Sequence, residues 1–265
     1  MKKGLPTEFV VQLFALLISV IIVHAIYVAV IRPQAAEVLE EQNRMIAEDP
    51  NYVVERSFYV IVQDFEQESC FILMLWAFSI MGYKAWTATR ERSLLQQDLI
   101  PLADGMRILP GDTREYARNI QSLPPDEQKL LVPRVLLTAL HRFGATGSVQ
   151  DTSATAHTLV ETEAERLESE LSMVRYIAWA IPSIGFIGTV RGIGAALSQA
   201  HRAVEGDISG VTQSLGVAFN STFIALLISI VLMFLVHQLQ SLQERQIFET
   251  ESYTDEKLIR HLQAS

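Results

Sequence analysis

The side chains best placed to do chemistry in an apolar setting gather in the last third of the chain. Thr189 and Arg191 stand in one apolar stretch, residues 174–197, and Asn220 and Thr222 in another, residues 215–235. A hydroxyl donates one hydrogen bond and accepts two, so a threonine here can bond its own i−4 carbonyl or bridge to another helix. An unpaired guanidinium in hydrocarbon is costly, so Arg191 must reach water, a lipid phosphate or an acid. It can do so at the mouth of an assembly or by snorkelling to the interface. Asn220 can form an interhelical hydrogen bond with no further role. Neither stretch contains an Asp or Glu.

Small residues surround these groups. Gly188 and Gly192 are a small-xxx-small pair with Ala196 one turn further on, and Pro182 and Gly185 precede them. Such a face lets another helix approach closely, which is how helices associate when lipid is as apolar as leucine. In the second stretch Ser214, Ala218, Thr222, Ala225 and Ser229 share one helical face, with Gly216 and Asn220 on an adjacent one. A polar, small stripe in a membrane helix turns toward protein or water. Small faces on both stretches predict a closed ring of chains.

The elements that must carry these residues follow from the distribution of apolar sequence. The chain has 265 residues, 49% hydrophobic and only 19% charged, and the apolar residues concentrate in four runs: 9–31, 70–86, 174–197 and 215–235. A bilayer core takes about 20 residues of helix. Lys2 and Lys3 precede the first run as in a secretory signal, but its apolar core is too long and no small-x-small site precedes Arg32-Pro33, so a retained span is expected. The first two runs are bulky and suit lipid. The expected fold is an all-α membrane protein with four transmembrane helices and cytoplasmic helical extensions. Its segments are a first span (1–31), an outer segment (32–69), a second span (70–86), a cytoplasmic insert (87–173), two paired spans (174–238) and a C-terminal helix (239–265).

Lys84, Arg90 and Arg92 follow the second run, and Arg245, Lys257 and Arg260 follow the fourth. Positive residues stay inside, which places both termini and the insert in the cytoplasm. In the insert, Asp126 after Pro124-Pro125 predicts a helix start, running to about Phe143 before Gly144 and Gly147, with Pro133 able to bend it. A longer helix is predicted from about Asp151. Val160, Ala164, Leu167, Leu171 and Val174 form one apolar stripe that leads into the third span. Leu239 and Leu242 continue a helical pattern beyond the fourth.

Several function classes are excluded. A net charge of −9 gives no reason to expect nucleic acid, and the acids Glu161, Glu163, Glu165, Glu168 and Glu170 read as a solvated helix face. The single cysteine, Cys70, rules out an intramolecular disulfide. Gly192-Ile-Gly194 lacks the third glycine and preceding strand of a dinucleotide loop. The segment at Phe143–Ser148 lacks the Lys-Ser/Thr end of a phosphate loop. The six histidines show no metal-ligand spacing, and His24 reads as a packed residue. No enzyme, metal or cofactor is expected.

Two quoted segments carry a family resemblance. "PSIGFIGTVRGIGAAL" resembles the P-x-x-G-[LF]-[IL]-G-T-V-x-G signature of the MotA/TolQ/ExbB proton-channel family, and "LGVAFNSTFIALLISIVL" resembles its last span, where a small residue follows a threonine by three positions. The order of span, insert, signature span, short loop and final span also fits. The resemblance implies that Thr189 and Thr222 line a proton pathway and that Pro182 bends its helix. It implies close packing at Gly185, Gly188, Gly192 and Gly216. Arg191, Asn220, Ser214, Ala218 and Ala225 are the expected pore or partner contacts. Arg191 and Asn220 are not part of the family pattern and suggest a subfamily. Four spans resemble the flagellar MotA type, TolQ and ExbB types have three, and Zorya-type phage-defence motors are also similar. The resemblance further implies a bacterial inner-membrane motor: a pentamer around a dimeric MotB/TolR/ExbD-like single-span partner that supplies a transmembrane Asp. Protons are the expected coupling ion, with sodium the other candidate. A passive scaffold or a non-rotary channel is the competing reading.

Overall fold

A computed structural model describes residues 7–49, 52, 55–102 and 105–264. Lys2 and Lys3 lie outside the described residues. The fold is all-α: α1 (Thr7–Ile26), a π turn (Tyr27–Ile31), α2 (Arg32–Glu48), α3 (Phe58–Val62), α4 (Phe65–Leu95), α5 (Thr113–Gln121), α6 (Leu131–Thr146), α7 (Val149–Ser198), α8 (Ala200–Val204) and α9 (Ser209–Lys257). Among the described residues there is no strand, only an isolated bridge between Ile108 and Leu262. Four helices are long and apolar enough to cross a membrane: Val10–Glu48, Phe65–Leu95, Val149–Ser198 and Ser209–His261.

The chain divides into two compact units. Met1–Met81 with Met173–Val236 form the hairpin unit, named for α7 and α9. Here α1 exposes Leu13, Phe14, Leu17, Ile18 and Ile21, as a lipid-facing helix does, and buries Ser19 and Val23. The Trp76 indole on α4 donates to the Gln12 carbonyl of α1 at 3.0 Å. Pro33 has no N–H and would clash with the carbonyl four residues back. The chain meets this with the π turn, closed by the Arg32 N–H on the Tyr27 carbonyl, and the helix runs on without a break.

Gly82–Ser172 with His237–Ser265 form the second unit, the α6 unit. Its core packs Val135, Leu136, Leu140 and Phe143 of α6 together with Ile100, Ile108, Ile120, Val160 and Leu258. The expected start of this helix is corrected. Asp126 lies in a turn where Glu127 and Gln128 N–H both reach the Pro124 carbonyl, and α6 begins five residues later at Leu131. Leu130 offers no side-chain cap. The cap comes from elsewhere: both carboxylate oxygens of Glu91 lie 2.8 and 2.9 Å from the Leu131 N–H. Pro133 therefore sits in the first turn, where its missing N–H costs little. The helix ends at Gly147, whose φ of 64° is the left-handed conformation glycine adopts freely. Gly144 lies inside the helix, and a Cβ on it would come 2.6 Å from Thr113 Oγ1 of α5.

α7 starts at Val149, close to expectation, with Ser148 Oγ accepting from the Asp151 N–H at 3.2 Å. The stripe at Val160, Ala164, Leu167, Leu171 and Val174 is buried or half-buried throughout. The solvated acidic face is corrected at two positions. Glu163 is buried and pairs with Arg134 and Arg166, and Glu170 pairs with Arg166 and with buried Lys84 at 2.6 Å.

Candidate functional site

In the hairpin unit α7 and α9 pack antiparallel, and their seam is set by residues without bulk. A Cβ on Gly185 would come within 2.5 Å of Ala225 Cβ, on Gly188 within 2.5 Å of Ser221 Cβ, and on Gly192 within 2.7 Å of Ala218 Cβ. Any side chain at these three positions collides with the facing helix, so the glycines are what let the backbones approach. Ser214 closes the connection end by accepting from Gln199 Nε2 at 3.1 Å. This seam uses the small faces of both helices within one chain. Much of the two small faces is thus taken up by packing against each other within one chain. Gly216 stands off the seam, with nothing within 4 Å of where its Cβ would be. Asn220 is half-buried and is not among the side chains that bond across the seam.

Pro182 lies inside α7. Its missing N–H frees the carbonyl four residues back, that of Ala178, which is buried. Ser229 of α9 donates to that carbonyl at 3.1 Å, so a hydroxyl from the neighbouring helix satisfies the group the proline leaves unpaired.

Two turns further along α7 the two threonines meet. Thr189 Oγ1 lies 3.1 Å from the Ala218 carbonyl, and Thr222 Oγ1 lies 3.0 Å from the Gly185 carbonyl. Each hydroxyl thus bonds the carbonyl four residues before the other threonine. The two hydroxyls also hydrogen-bond each other. Ser221, next door, does the bland thing and bonds its own i−4 carbonyl, Val217, at 2.9 Å. Thr189 is 3.4 Å from its own i−4 carbonyl of Gly185, its longest contact.

Counting protons shows what the pair can do. Two hydroxyls carry two hydrogens. When one joins the two oxygens, one hydrogen remains for two carbonyls. The chain then reads Thr189 to Thr222 to Gly185, or Thr222 to Thr189 to Ala218. Rotation of the hydroxyls reverses it, so the pair has two hydrogen-bonded states of nearly equal make-up.

Arg191 has partners the sequence reading did not find. Its Nε and one NH2 group bond the two oxygens of Glu66 at 2.7 and 2.8 Å, with Asp64 3.7 Å away. The acid of α4 lies against the hairpin at Gly188, whose Cβ would come 3.1 Å from Glu66 Cγ. A second charged group adjoins: Glu68, nearly buried, pairs with Arg32 and with His24 Nδ1 at 2.7 Å. His24 is thus a hydrogen-bonded and exposed side chain, where the sequence reading expected a packed one. The only sequence signal for these contacts was a run of three acids, Asp64, Glu66 and Glu68, directly before an apolar stretch.

Residues 127–252 match the MotA/TolQ/ExbB proton channel family, a span that includes α6, α7 and most of α9 with both threonines. No curated protein matches the chain. With four apolar helices of membrane length and this match, the protein is a multi-pass membrane protein. Over that segment, a little under half of its length, the chain is similar to the MotA/TolQ/ExbB proton channel family.

Proposed function

We propose that the chain forms a ring, by family resemblance a pentamer, around the single transmembrane helices of a dimeric MotB/TolR/ExbD-like partner in a bacterial inner membrane. Proton passage past Thr189 and Thr222 then drives rotation or other mechanical work, and both termini face the cytoplasm. The partner supplies the titrating carboxylate, because neither α7 after Met173 nor α9 before Val236 carries one. A buried carboxylate is costly when charged and cheap when neutral, so protonation changes which position of the partner helix is favoured. The reversible threonine pair is the observation that carries this reading. It sits in the seam between α7 and α9, and it offers a hydrogen-bond chain that runs in either direction.

The test separates hydroxyl from volume. Valine matches threonine in shape but cannot hydrogen-bond. Thr189→Val with Thr222→Val should leave the oligomer and partner binding intact and abolish proton flux in vesicles holding the ring and its partner. Serine at either position should retain part of the flux. Full flux in the double valine variant would make the pair a packing device and favour a passive scaffold.

A further inference from the structure

Besides the threonine pair, the hairpin unit holds a polar cluster that the mechanism above does not use. Among the described residues, four buried side-chain atoms have no hydrogen-bond partner, and three of them are here: the Tyr27 hydroxyl, Asp64 Oδ2 and Gln67 Oε1. Tyr27 and Gln67 are 1% and 0% exposed, so water outside cannot compensate them. Asp64 and Gln67 are three residues apart at the head of α4, and Glu68, Arg32 and Asp64 are charges that act on the Tyr27 hydroxyl. Arg32 stacks on the Tyr27 ring at 5.6 Å and pairs with Glu68, which ties the tyrosine to this cluster.

Orphaned buried polar atoms of this kind call for a small polar occupant. The set comprises one donor, the tyrosine hydroxyl, and two acceptors. A water accepts as well as donates hydrogen bonds, so it can satisfy either kind of group. The location gives that water a use. Asp64 lies 3.7 Å from Arg191, whose guanidinium is half-exposed and bonds Glu66. Glu66 in turn touches α7 at Gly188, the residue before Thr189.

We infer that Asp64, with Glu66, Arg191 and the buried Tyr27 hydroxyl, forms a hydrated proton-uptake site inside each subunit, which loads the threonine pathway. This deepens the proposed function and rests on it. A proton from water adds to Asp64 Oδ2, and Asp64 returns it toward the threonine pair and the partner's carboxylate, so one proton enters and one leaves. The charged groups that act on Asp64 are Arg191 from α7, Glu66 from α4 and Arg32 from α2, and Asp64 itself acts on the Tyr27 hydroxyl of the π turn, which Glu68, the partner of His24, and Cys70 also influence. Burial pushes the Asp64 carboxyl above the usual range against the pull of Arg191, in the direction a proton acceptor near neutral pH requires. Arg191, bonded to Glu66 by both oxygens, is a positioning residue that holds the acids to α7.

Infrared difference spectroscopy of the full chain in lipid nanodiscs, titrated with pH, reads the carboxyl directly. The expected result is a protonated-carboxyl signal that persists above the ordinary carboxylate range of about pH 4. The Asp64 part of that signal is lost in Asp64→Asn, where the Glu91 part remains, and both parts are kept in the double valine variant. A spectrum identical in parent and Asp64→Asn overturns the inference. In vesicles with the partner, Asp64→Asn should lower flux on the order of a hundredfold and flatten its pH profile, and Asp64→Glu should restore part. Parent-like flux and pH profile in Asp64→Asn also overturn it. The infrared signal needs neither partner nor threonines. Loss of its Asp64 part in Asp64→Asn, together with full flux in the double valine variant, would therefore support the uptake site while removing the threonine pathway.

Discussion

In the hairpin unit, α7 and α9 meet through glycine, alanine, serine and threonine. In the α6 unit, the core is built from leucine, isoleucine, valine and phenylalanine. The first contact buries little apolar bulk and brings backbone carbonyls and hydroxyls together. The second buries large side chains and admits one carboxylate, Glu91, as the cap of α6. In water the second kind of packing is driven by removal of apolar surface. In lipid that drive is missing, and close backbone approach with hydrogen bonding replaces it. A seam built this way has no room for volume, yet loses little when one hydroxyl is removed. The α6 unit should behave in the opposite sense, tolerating a methylene more readily than an unpaired polar group.

Volume gives the largest expected effect. Gly185→Leu places a bulky side chain where even a Cβ lies 2.5 Å from Ala225 Cβ and 3.1 Å from the Ser221 carbonyl. The facing atoms are a helix backbone and a short side chain, so neither can swing away. The expected outcome is loss of monodisperse full-length protein after mild detergent extraction. Gly216→Leu is the control, since open space surrounds that position in the single chain. The leucine variant at 216 should fold and extract normally. If the ring uses Gly216 for packing between subunits, this variant will stop at the monomer in native mass spectrometry. A stable, assembled Gly185→Leu protein would break the contrast between the two units.

A polar deletion in the α6 unit comes next. Glu91→Ala leaves the buried Leu131 N–H unpaired, at a cost of about 1–3 kcal/mol. Glu91 also gives a pH dependence. Burial raises its carboxyl above the usual range, the hydrogen bonds from Leu131 and Val132 only partly offsetting this. With the folded pKa above the unfolded one, the native state holds the proton more tightly. Stability is then greatest below the unfolded value of about 4.3, falls as pH rises toward the folded value, and levels off above it. Hydrogen exchange of the α6 amides, corrected for intrinsic rates, should show this decline in the parent and lose it in Glu91→Gln. Protection that instead rises over that window would mean the carboxylate is stabilised by its cap.

The same residue shows why part of the fold was hidden in the sequence. The span helices were legible because composition alone marks them, and the seam was legible because small residues recur at helical spacing. Thr189 and Thr222 were found through a motif, but their crossed bonding to each other's i−4 carbonyls needs the register of two helices, which no local pattern contains. The start of α6 was misplaced at Asp126 because a capping signal is sought next to the helix. Here the cap is supplied by Glu91, forty residues earlier on α4. Glu163 and Glu170 looked solvated because a run of acids says nothing of Arg134, Arg166 and Lys84 arriving from other turns and helices. Glu66 was missed for the same reason: Arg191 advertises the need for an acid, but only the fold says which one.

The smallest effect tests whether the seam's hydroxyls act as substitutes for missing backbone donors. Ser229 donates to the Ala178 carbonyl, the group that Pro182 leaves without an N–H. Ser229→Ala alone should destabilise the hairpin by about 0.6 kcal/mol, the usual worth of a hydrogen bond between membrane helices, and by no more than about 1.7. Pro182→Ala restores an amide that reaches the Ala178 carbonyl from within α7. In that background the serine bond is redundant, and removing it should cost close to nothing. A double-mutant cycle on the reversible unfolding of the full chain in mixed micelles measures the difference. A coupling energy near the single Ser229→Ala value means the hydroxyl of α9 stands in for the lost amide of α7. A coupling of zero would mean that Ser229 is held in place by the close seam and that the carbonyl of Ala178 contributes nothing to it.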